Sequence, residues 1–375
     1  MYQNTNTKQL LSDINLGDIK PLVDKVLAGE RISTDDALVL FEQAEIGLLG
    51  ILSNHVAQKK NGDRVFFNRN FHIEPTNICV HNCSFCSYRR ELGQEGSWEM
   101  SLNDIKNTVR KFKDKNPTEV HITGGVHPEW DINYYGKLIA TIKEEMPQIH
   151  VKAFSAVELD YVISKANLPL RDGVKILKGY GLDSIPGGGA EISNQEIRKK
   201  ICGSKSSWPQ WLRVHEAAHQ EGLTSNATML YGHIENYAHR VEHMHEIRLL
   251  QDKTGGFNCF IPLKFKSSNN RLGTVGETNT LDDLRTYAVA RIFFDNIQHI
   301  KAYWPMLGKD NARMLLDFGV DDIDGTIDES TKIYSMAGSE EQNPNMTVDE
   351  VCRLIRSANK KPAERDSLYN TIFTY

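Results

Sequence analysis

Short apolar runs alternate with amphipathic helical segments between residues 71 and 323, and this alternation limits the possible folds more than any other feature of the 375-residue chain. We count eight such runs, each followed by a loop and then by a helical stretch. Repeated strand-then-helix units are typical of an α/β protein with a parallel sheet, and eight units predict a (βα)8 barrel of the TIM type. The runs are residues 71–74, 120–123, 150–154, 184–185, 224–230, 258–263, 299–304 and 320–323.

The sequence divides into three predicted parts. Residues 1–60 form an N-terminal helical extension, in which Ser33-Thr-Asp-Asp36 has the form of a capping box that starts a helix. Residues 61–330 form the barrel, with 65–67 as an extra edge strand or lid. Residues 331–375 form a C-terminal helical segment that packs on the barrel.

Composition excludes several classes of protein. No apolar run approaches the ~20 residues that a membrane span needs. The net charge is −5, with lysines and arginines spread along the chain, so no nucleic-acid footprint is present. Six cysteines in 375 residues are too few for a disulfide framework, and the polar start at residues 1–8 has no signal-peptide core. We therefore expect reduced thiols and a cytoplasmic location.

Three cysteines, Cys79, Cys83 and Cys86, fall within eight positions and are the predicted metal ligands. Three closely spaced thiolates can hold three irons of a cubane cluster and leave the fourth iron open for chemistry. Clusters that only carry electrons usually close the shell with a fourth cysteine. The remaining cysteines are far along the chain and are not expected to be ligands: Cys202, Cys259 and Cys352.

Two other interpretations of these cysteines stay open. One is a zinc-stabilised binding module with His81 or His72 as fourth ligand, although structural zinc ligands normally come as two separated pairs. The other is an iron–sulfur electron carrier. Both need a fourth protein ligand, and neither accounts for eight βα units.

The remaining motifs follow predicted strands at the end where a barrel carries its active site. Gly124-Gly125, after the second run, allows the backbone to approach a ligand, or simply makes a tight turn. Pro186-Gly-Gly-Gly-Ala-Glu191 lacks the spacing of a phosphate-binding loop. Glu191 either accepts hydrogen bonds from ribose hydroxyls or favours the start of the following helix.

Ionisable residues inside predicted strands need an explanation, because strands buried on both faces are normally apolar. Lys152 and Lys301 suit an anionic substrate if they face inward, and are surface lysines if they face outward. Arg198 and Arg291 are further candidates for binding a substrate carboxylate. His233 and Lys301 are the catalytic candidates, and no role is assigned to His127. The other ionisable residues in strands are His72, Glu74 and His121.

The C-x3-C-x2-C spacing, with Phe85 before the last cysteine, resembles the signature of the radical S-adenosylmethionine (SAM) superfamily. That resemblance implies a 4Fe-4S cluster on the three cysteines. It also implies a SAM molecule on the open iron, split to give a 5′-deoxyadenosyl radical. Phe85, Gly124, Gly125 and Glu191 are then the implied cofactor-binding residues. The superfamily often has Gly-Gly-Glu where this chain has Gly-Gly-Val.

Longer segments resemble one branch, which makes menaquinone and deazaflavin precursors: residues 75–79, 121–128, 186–192, 227–235 and 322–326. Within it, residues 260–265 and 296–304 are most similar to the aminofutalosine synthases. This similarity implies a transferase that adds the adenosyl radical to 3-(1-carboxyvinyloxy)benzoate, with a flavodoxin or ferredoxin as electron donor. The dehypoxanthine futalosine cyclases and the tyrosine-coupling deazaflavin synthase subunits share the scaffold and are the alternatives.

Overall fold

The computed structural model describes residues 16–327 and 332–375, together with residues 7, 11 and 14. Most of the first fifteen residues of the predicted helical extension lie outside this range. The described part of the extension contains three α-helices, α1 (Lys20–Ala28), α2 (Thr34–Gln43) and α3 (Ile46–Asn61). The predicted capping box starts α2: the Ser33 hydroxyl accepts from the Asp36 N–H, and the Asp36 carboxylate accepts from the Ser33 N–H.

Seven parallel strands form one sheet in chain order, and they match the first seven predicted runs. The seventh is shorter than predicted, because a helix begins at Trp304. The strands are β2 (Asn70–Ile73), β3 (Glu119–Ile122), β4 (His150–Ala153), β5 (Ser184–Ile185), β6 (Thr224–Tyr231), β7 (Phe257–Lys264) and β8 (His299–Ile300). The connecting helices are α4 (Leu102–Phe112), α5 (Ile132–Glu145), α6 (Ala156–Lys165), α7 (Leu170–Gly179), α8 (Gln195–Cys202), α9 (Trp208–Gln220), α10 (Tyr237–Thr254), α11 (Thr280–Phe293), α12 (Trp304–Leu307) and α13 (Lys309–Leu315).

The eighth predicted run overlaps strand β9 (Asp322–Gly325), which closes the barrel. Strand β1 (Arg64–Asn68) pairs in parallel with β9, and a single bridge from Lys301 to Asp322 joins the end of β8 to β9. Only Arg69 separates β1 from β2, so one continuous stretch pairs with β9 through β1 and with β3 through β2. The predicted α/β barrel is confirmed. The predicted extra strand at 65–67 is part of β1, where the last barrel strand meets the first.

The C-terminal segment differs from its prediction, because it is only partly helical. Helices α14 (Lys332–Met336) and α15 (Val348–Ser357) are followed by strands β10 (Lys361–Arg365) and β11 (Thr371–Thr374). Strand β10 pairs with β1, and β11 lies antiparallel beside β10. The sequence Lys-Pro-Ala-Glu-Arg has no alternating apolar pattern, so this strand depends on its neighbour β1.

Side chains alternate between the two faces of the barrel wall. Phe71 of β2 is fully buried and stacks on Phe112 of α4, with ring centroids 4.3 Å apart. Its neighbour His72 lines the interior, in register with His121 and Lys152 on the next two strands. The interior is therefore polar, which accounts for the ionisable residues in otherwise apolar strands. Among the described helices, none is both long and apolar enough to cross a membrane.

Candidate active site

A cavity of about 270 Å³ occupies the barrel interior and opens among the loops that follow the strands. Phe85 and Cys86 contribute from the loop after β2, Gly124 from the loop after β3, and Glu191 from the loop after β5. Tyr334 of α14 also lines it. The motifs singled out in the sequence therefore meet at one end of the barrel.

The cysteine loop is tied to the barrel through its backbone. Val80 donates its N–H to the Val126 carbonyl (2.9 Å), and Ser84 donates to the carbonyl of Ile201 in α8 (2.7 Å). All three cysteines are free thiols; Cys83 is buried, and Cys79 and Cys86 are half-buried. Burial raises the pKa of the Cys83 thiol to about 12. Because a thiol in this setting stays protonated at neutral pH, deprotonation has to be coupled to metal binding.

The donor set fits an iron–sulfur cluster better than a single metal ion. No group of three His, Cys, Asp or Glu side chains within residues 16–327 and 332–375 is arranged to hold one metal ion. His72 lies inside the barrel beside His121, with ring centroids 4.7 Å apart, so it is not placed as a zinc ligand for this loop. Three thiols on one loop match a cubane that leaves one iron open.

Cys202 lies nearer to this loop than its sequence position indicates. It is buried at the end of α8, and it adds to the effect of burial in raising the pKa of Cys83. Distance along the chain is therefore not the reason to exclude it as a ligand, and it provides the most demanding control for the assignment.

The paired glycines have a packing role that the sequence did not reveal. A Cβ on Gly125 would overlap the carbonyl oxygen of Ile78, and one on Gly124 would lie 2.7 Å from the carbonyl oxygen of Thr76. Gly125 also donates its N–H to that Thr76 carbonyl (2.7 Å). The glycines let the loop after β3 lie directly against the backbone of the cysteine loop. Of the two, Gly124 also lines the cavity.

Glu191 is paired with a lysine that the sequence analysis missed. Its backbone is left-handed (φ 51°), and its carboxylate accepts a hydrogen bond from Lys205 Nζ at 2.6 Å. Lys205 also lies 5.3 Å from the centre of the Phe85 ring. Although burial opposes it, Cys83 and Glu191 raise the pKa of Lys205 well above its usual value. Helix α8 is capped by Asn194 and begins at Gln195, so Glu191 lies outside its first turn.

Lys152 and Lys301 both face inward and line the cavity. Lys152 forms a buried ion pair with Glu119, and Lys301 donates to Asp324 Oδ1 at 2.7 Å. Although burial opposes it, Asp324 and then Asp322 raise the pKa of Lys301. Each of the two ammonium groups therefore lies beside a carboxylate within the barrel.

The two predicted arginines are not among the residues that line the cavity. Arg198 donates to the carbonyls of Ala190, Ile192 and Ser206, which ties the loop after β5 to α8. Arg291 is fully buried and donates to the carbonyls of Gly319 and Gln298 and to Asp321. The structure therefore places neither guanidinium group in the cavity, and both donate to internal partners.

His233 is also not among the lining residues. Its Nε2 atom lies 3.1 Å from the Leu230 carbonyl, and its Nδ1 atom accepts from the Ile234 N–H at 2.7 Å. Both ring nitrogens are used by the local backbone, which makes this a loop-shaping histidine. His127 stacks on Trp130 and is likewise outside the cavity lining.

Comparisons with known proteins place this geometry in a family. Residues 73–247 match the model of the radical SAM superfamily, and residues 254–373 match the CofH/MqnC C-terminal region. The chain is 42% identical to aminodeoxyfutalosine synthase of Thermus thermophilus, covering 94% of this chain and 95% of the relative. It is 36% identical to 5-amino-6-(D-ribitylamino)uracil–L-tyrosine 4-hydroxyphenyl transferase of Methanothermobacter thermautotrophicus, covering 95% and 99%.

Two further likenesses bear on reaction and fold. The chain is 32% identical to cyclic dehypoxanthine futalosine synthase of Streptomyces coelicolor, covering 96% of this chain and 90% of the relative. The crystal structure of methylornithine synthase superposes with a TM-score of 0.73 at 18% identity, covering 91% and 97%. That structural likeness supports the fold alone.

Proposed function

We propose a reaction for this chain from one premise: the chain belongs to the radical SAM superfamily and is an enzyme. Membership implies an iron–sulfur cluster and SAM. The proposed activity is that of an aminodeoxyfutalosine synthase. It transfers the 5′-deoxyadenosyl group of SAM to 3-(1-carboxyvinyloxy)benzoate, with rearrangement and decarboxylation, to give 6-amino-6-deoxyfutalosine for menaquinone synthesis. The observation that carries this choice is the 42% identity to the Thermus enzyme over nearly the whole chain.

Cys79, Cys83 and Cys86 would hold a 4Fe-4S cluster in this proposal. When bound, that cluster supplies the electron that splits SAM, and an acidic one-electron carrier such as a cytoplasmic flavodoxin or ferredoxin would reduce it. Phe85, Gly124 and Glu191 would border the SAM molecule, since they line the cavity next to the cysteine loop. The carboxylate of Glu191 would accept hydrogen bonds from ribose hydroxyls while it is also held by the hydrogen bond from Lys205.

The substrate would lie deeper in the same cavity. Lys152 and Lys301 place two ammonium groups in the barrel interior as hydrogen-bond donors, each paired with a protein carboxylate. Tyr334 of α14 forms part of the cavity wall. A covered cavity excludes water and competing hydrogen donors from a reactive radical.

A second candidate is the tyrosine-coupling deazaflavin reaction, favoured by the 36% identity to the Methanothermobacter transferase. A third is the futalosine cyclase reaction, with 32% identity to the Streptomyces relative. One sequence difference argues against the deazaflavin reaction. This chain has Pro186-Gly-Gly-Gly-Ala-Glu191, whereas the deazaflavin branch tends to have Pro-Gly-Thr-Ala-Ala-Glu at this place.

The fate of the adenosyl group separates these reactions. With adenosyl-labelled SAM under anaerobic conditions, we expect label in a new adenine-containing aromatic acid, formed in equal amount to the methionine released. Mass spectrometry after separate incubation with the enol ether, with dehypoxanthine futalosine, and with tyrosine plus the diaminouracil measures this directly. Label confined to free 5′-deoxyadenosine, with the enol ether recovered unchanged, would refute the proposed reaction.

Replacing Glu191 by glutamine tests the SAM site. Gln keeps the shape of the side chain but removes the charge, so SAM binding should weaken by about 1.5–3 kcal/mol as charge-assisted hydrogen bonds are lost. Calorimetric titration of the cluster-containing protein with SAM measures the change. The matched control is Glu196→Gln, which replaces an exposed glutamate on α8 that pairs with Lys199 and should leave the affinity unchanged. An equal affinity in Glu191→Gln would contradict the assignment.

A further inference from the structure

The cavity is lined by two groups of polar side chains. They differ in whether their polar atoms already have a partner among the described residues. Five lysines line it, and each has a carboxylate partner within 3.1 Å. Their charges are balanced before any ligand enters. The pairs are Lys152–Glu119, Lys205–Glu191, Lys264–Asp283, Lys266–Glu277 and Lys301–Asp324.

His72 and His121 form the second group. They are register partners on β2 and β3, and their rings meet edge to face with centroids 4.7 Å apart. Both residues line the cavity, yet the Nε2 atom of each ring is buried without a hydrogen-bond partner among the described residues. A buried polar atom left unpaired costs about 1–3 kcal/mol. Two residues of the cavity wall thus each carry a ring nitrogen that the described residues leave unpaired.

Their surroundings keep both rings uncharged. Burial lowers the pKa of His72 to about 4 and that of His121 well below its usual value. The charged groups that face them are of both signs: Asp324 and Glu119 oppose the shift, whereas Lys152 and Lys301 reinforce that of His72. At neutral pH each imidazole therefore offers one N–H donor without adding positive charge. A neutral donor beside balanced ion pairs suits an anionic oxygen atom.

The pair lies at the deep end of the cavity. His121 precedes Gly124 by three residues, so at the rise of a parallel strand it is about 10 Å farther into the barrel. In the proposed reaction the new bond forms at the enol-ether end of the substrate, which must face SAM at the mouth. The carboxylate on the aromatic ring is then the group that points inward.

We propose that His72 and His121 together bind the carboxylate on the ring of the aromatic substrate and thereby select and orient it. The identity of that carboxylate rests on the proposed function. The pair donates hydrogen bonds and takes no part in proton transfer. The pair binds the end of the substrate that is remote from the reacting atoms. Binding energy from such remote contacts helps to orient the reacting end.

The test compares two ligands that differ only at the ring carboxylate: 3-(1-carboxyvinyloxy)benzoate and 2-phenoxyacrylate. Calorimetry on the cluster-containing enzyme should show the wild type binding the benzoate roughly 10- to 100-fold more tightly. His72→Leu and His121→Leu should each lose most of that preference while affinity for 2-phenoxyacrylate stays the same. His72→Asn, which restores an amide donor, should recover part of it.

His215→Leu is the matched control. His215 is also a buried histidine with an unpartnered Nε2 atom, but it packs between Trp211 and Phe257 and does not line the cavity. Its loss should leave both affinities unchanged. A wild type without the preference, or leucine variants that keep it, would overturn the assignment of the pair. A wild type that shows the preference but forms no adenosylated product would remove the proposed reaction and leave the pair as a ring-carboxylate site.

Discussion

Cys79→Ala, Cys83→Ala and Cys86→Ala should each lose the iron–sulfur cluster and, with it, product formation. Each thiolate would hold a different iron, so two remaining ligands cannot retain the cluster. Changes that only disturb the orientation of metal ligands already cost about 10- to 100-fold in metal affinity or activity, and loss of a ligand should exceed that range. Iron and sulfide content per chain after anaerobic reconstitution, together with electron paramagnetic resonance of the reduced protein, measures the effect.

Cys202→Ala is the control that makes this result specific. Cys202 is buried at the end of α8 and close enough to influence Cys83, whereas Cys259 is in a barrel strand and Cys352 is in α15. All three replacements should leave iron content and activity unchanged. An intact cluster after Cys83→Ala, or a lost one after Cys202→Ala, would mean that the wrong thiols have been assigned.

Gly125→Ala should damage the site almost as severely without touching a ligand. The added Cβ would overlap the Ile78 carbonyl, so the backbone of the cysteine loop has to move away from the loop after β3. Overpacking of this kind typically costs 1–3 kcal/mol or more. We expect a lower melting temperature and a cluster content that falls together with activity. Thermal unfolding and iron analysis on the same sample test both effects.

Gly47→Ala provides the comparison for that variant. Gly47 is in helix α3, and nothing lies within 4 Å of the position that its Cβ would take. Alanine there should leave stability unchanged or raise it by at most about 1 kcal/mol. If Gly125→Ala behaved in the same way, the close approach between the two loops would not be a requirement of the site.

The barrel could be predicted from the sequence because its strand-then-helix pattern is repeated eight times. Strand residues on the helix-facing side are apolar, as Phe71, Val120 and Val151 show. Six of the strands are followed by a helix that begins with a side-chain cap, namely α4, α5, α6, α8, α10 and α11. The strand β10 was missed for the opposite reason. Lys361 to Arg365 is polar and contains a proline, and it becomes a strand only because β1 offers it a partner.

Site residues could be predicted from the sequence where their spacing indicates the chemistry. They could not be predicted where their role depends on the direction of the side chain. The three cysteines are recognisable from their separation alone. Arg291 was chosen for its charge, but its guanidinium turns toward Gly319 and Asp321. Lys205, in contrast, carries no motif and follows the end of α8 in an ordinary loop. Only the fold brings its ammonium group to Glu191 and Phe85.

The pairing of β1 with β9 and β10 also sets the order in which the molecule can fold. Strand β1 is held between β9 and β10, and Arg365 of β10 forms a buried ion pair with Asp322 of β9. Between the synthesis of β1 and that of β10 a ribosome adds roughly 290 residues, which takes about 15 to 60 seconds. During that interval the first strand has no permanent neighbour on one side. The nascent chain must therefore remain protected from aggregation until β10 has been translated.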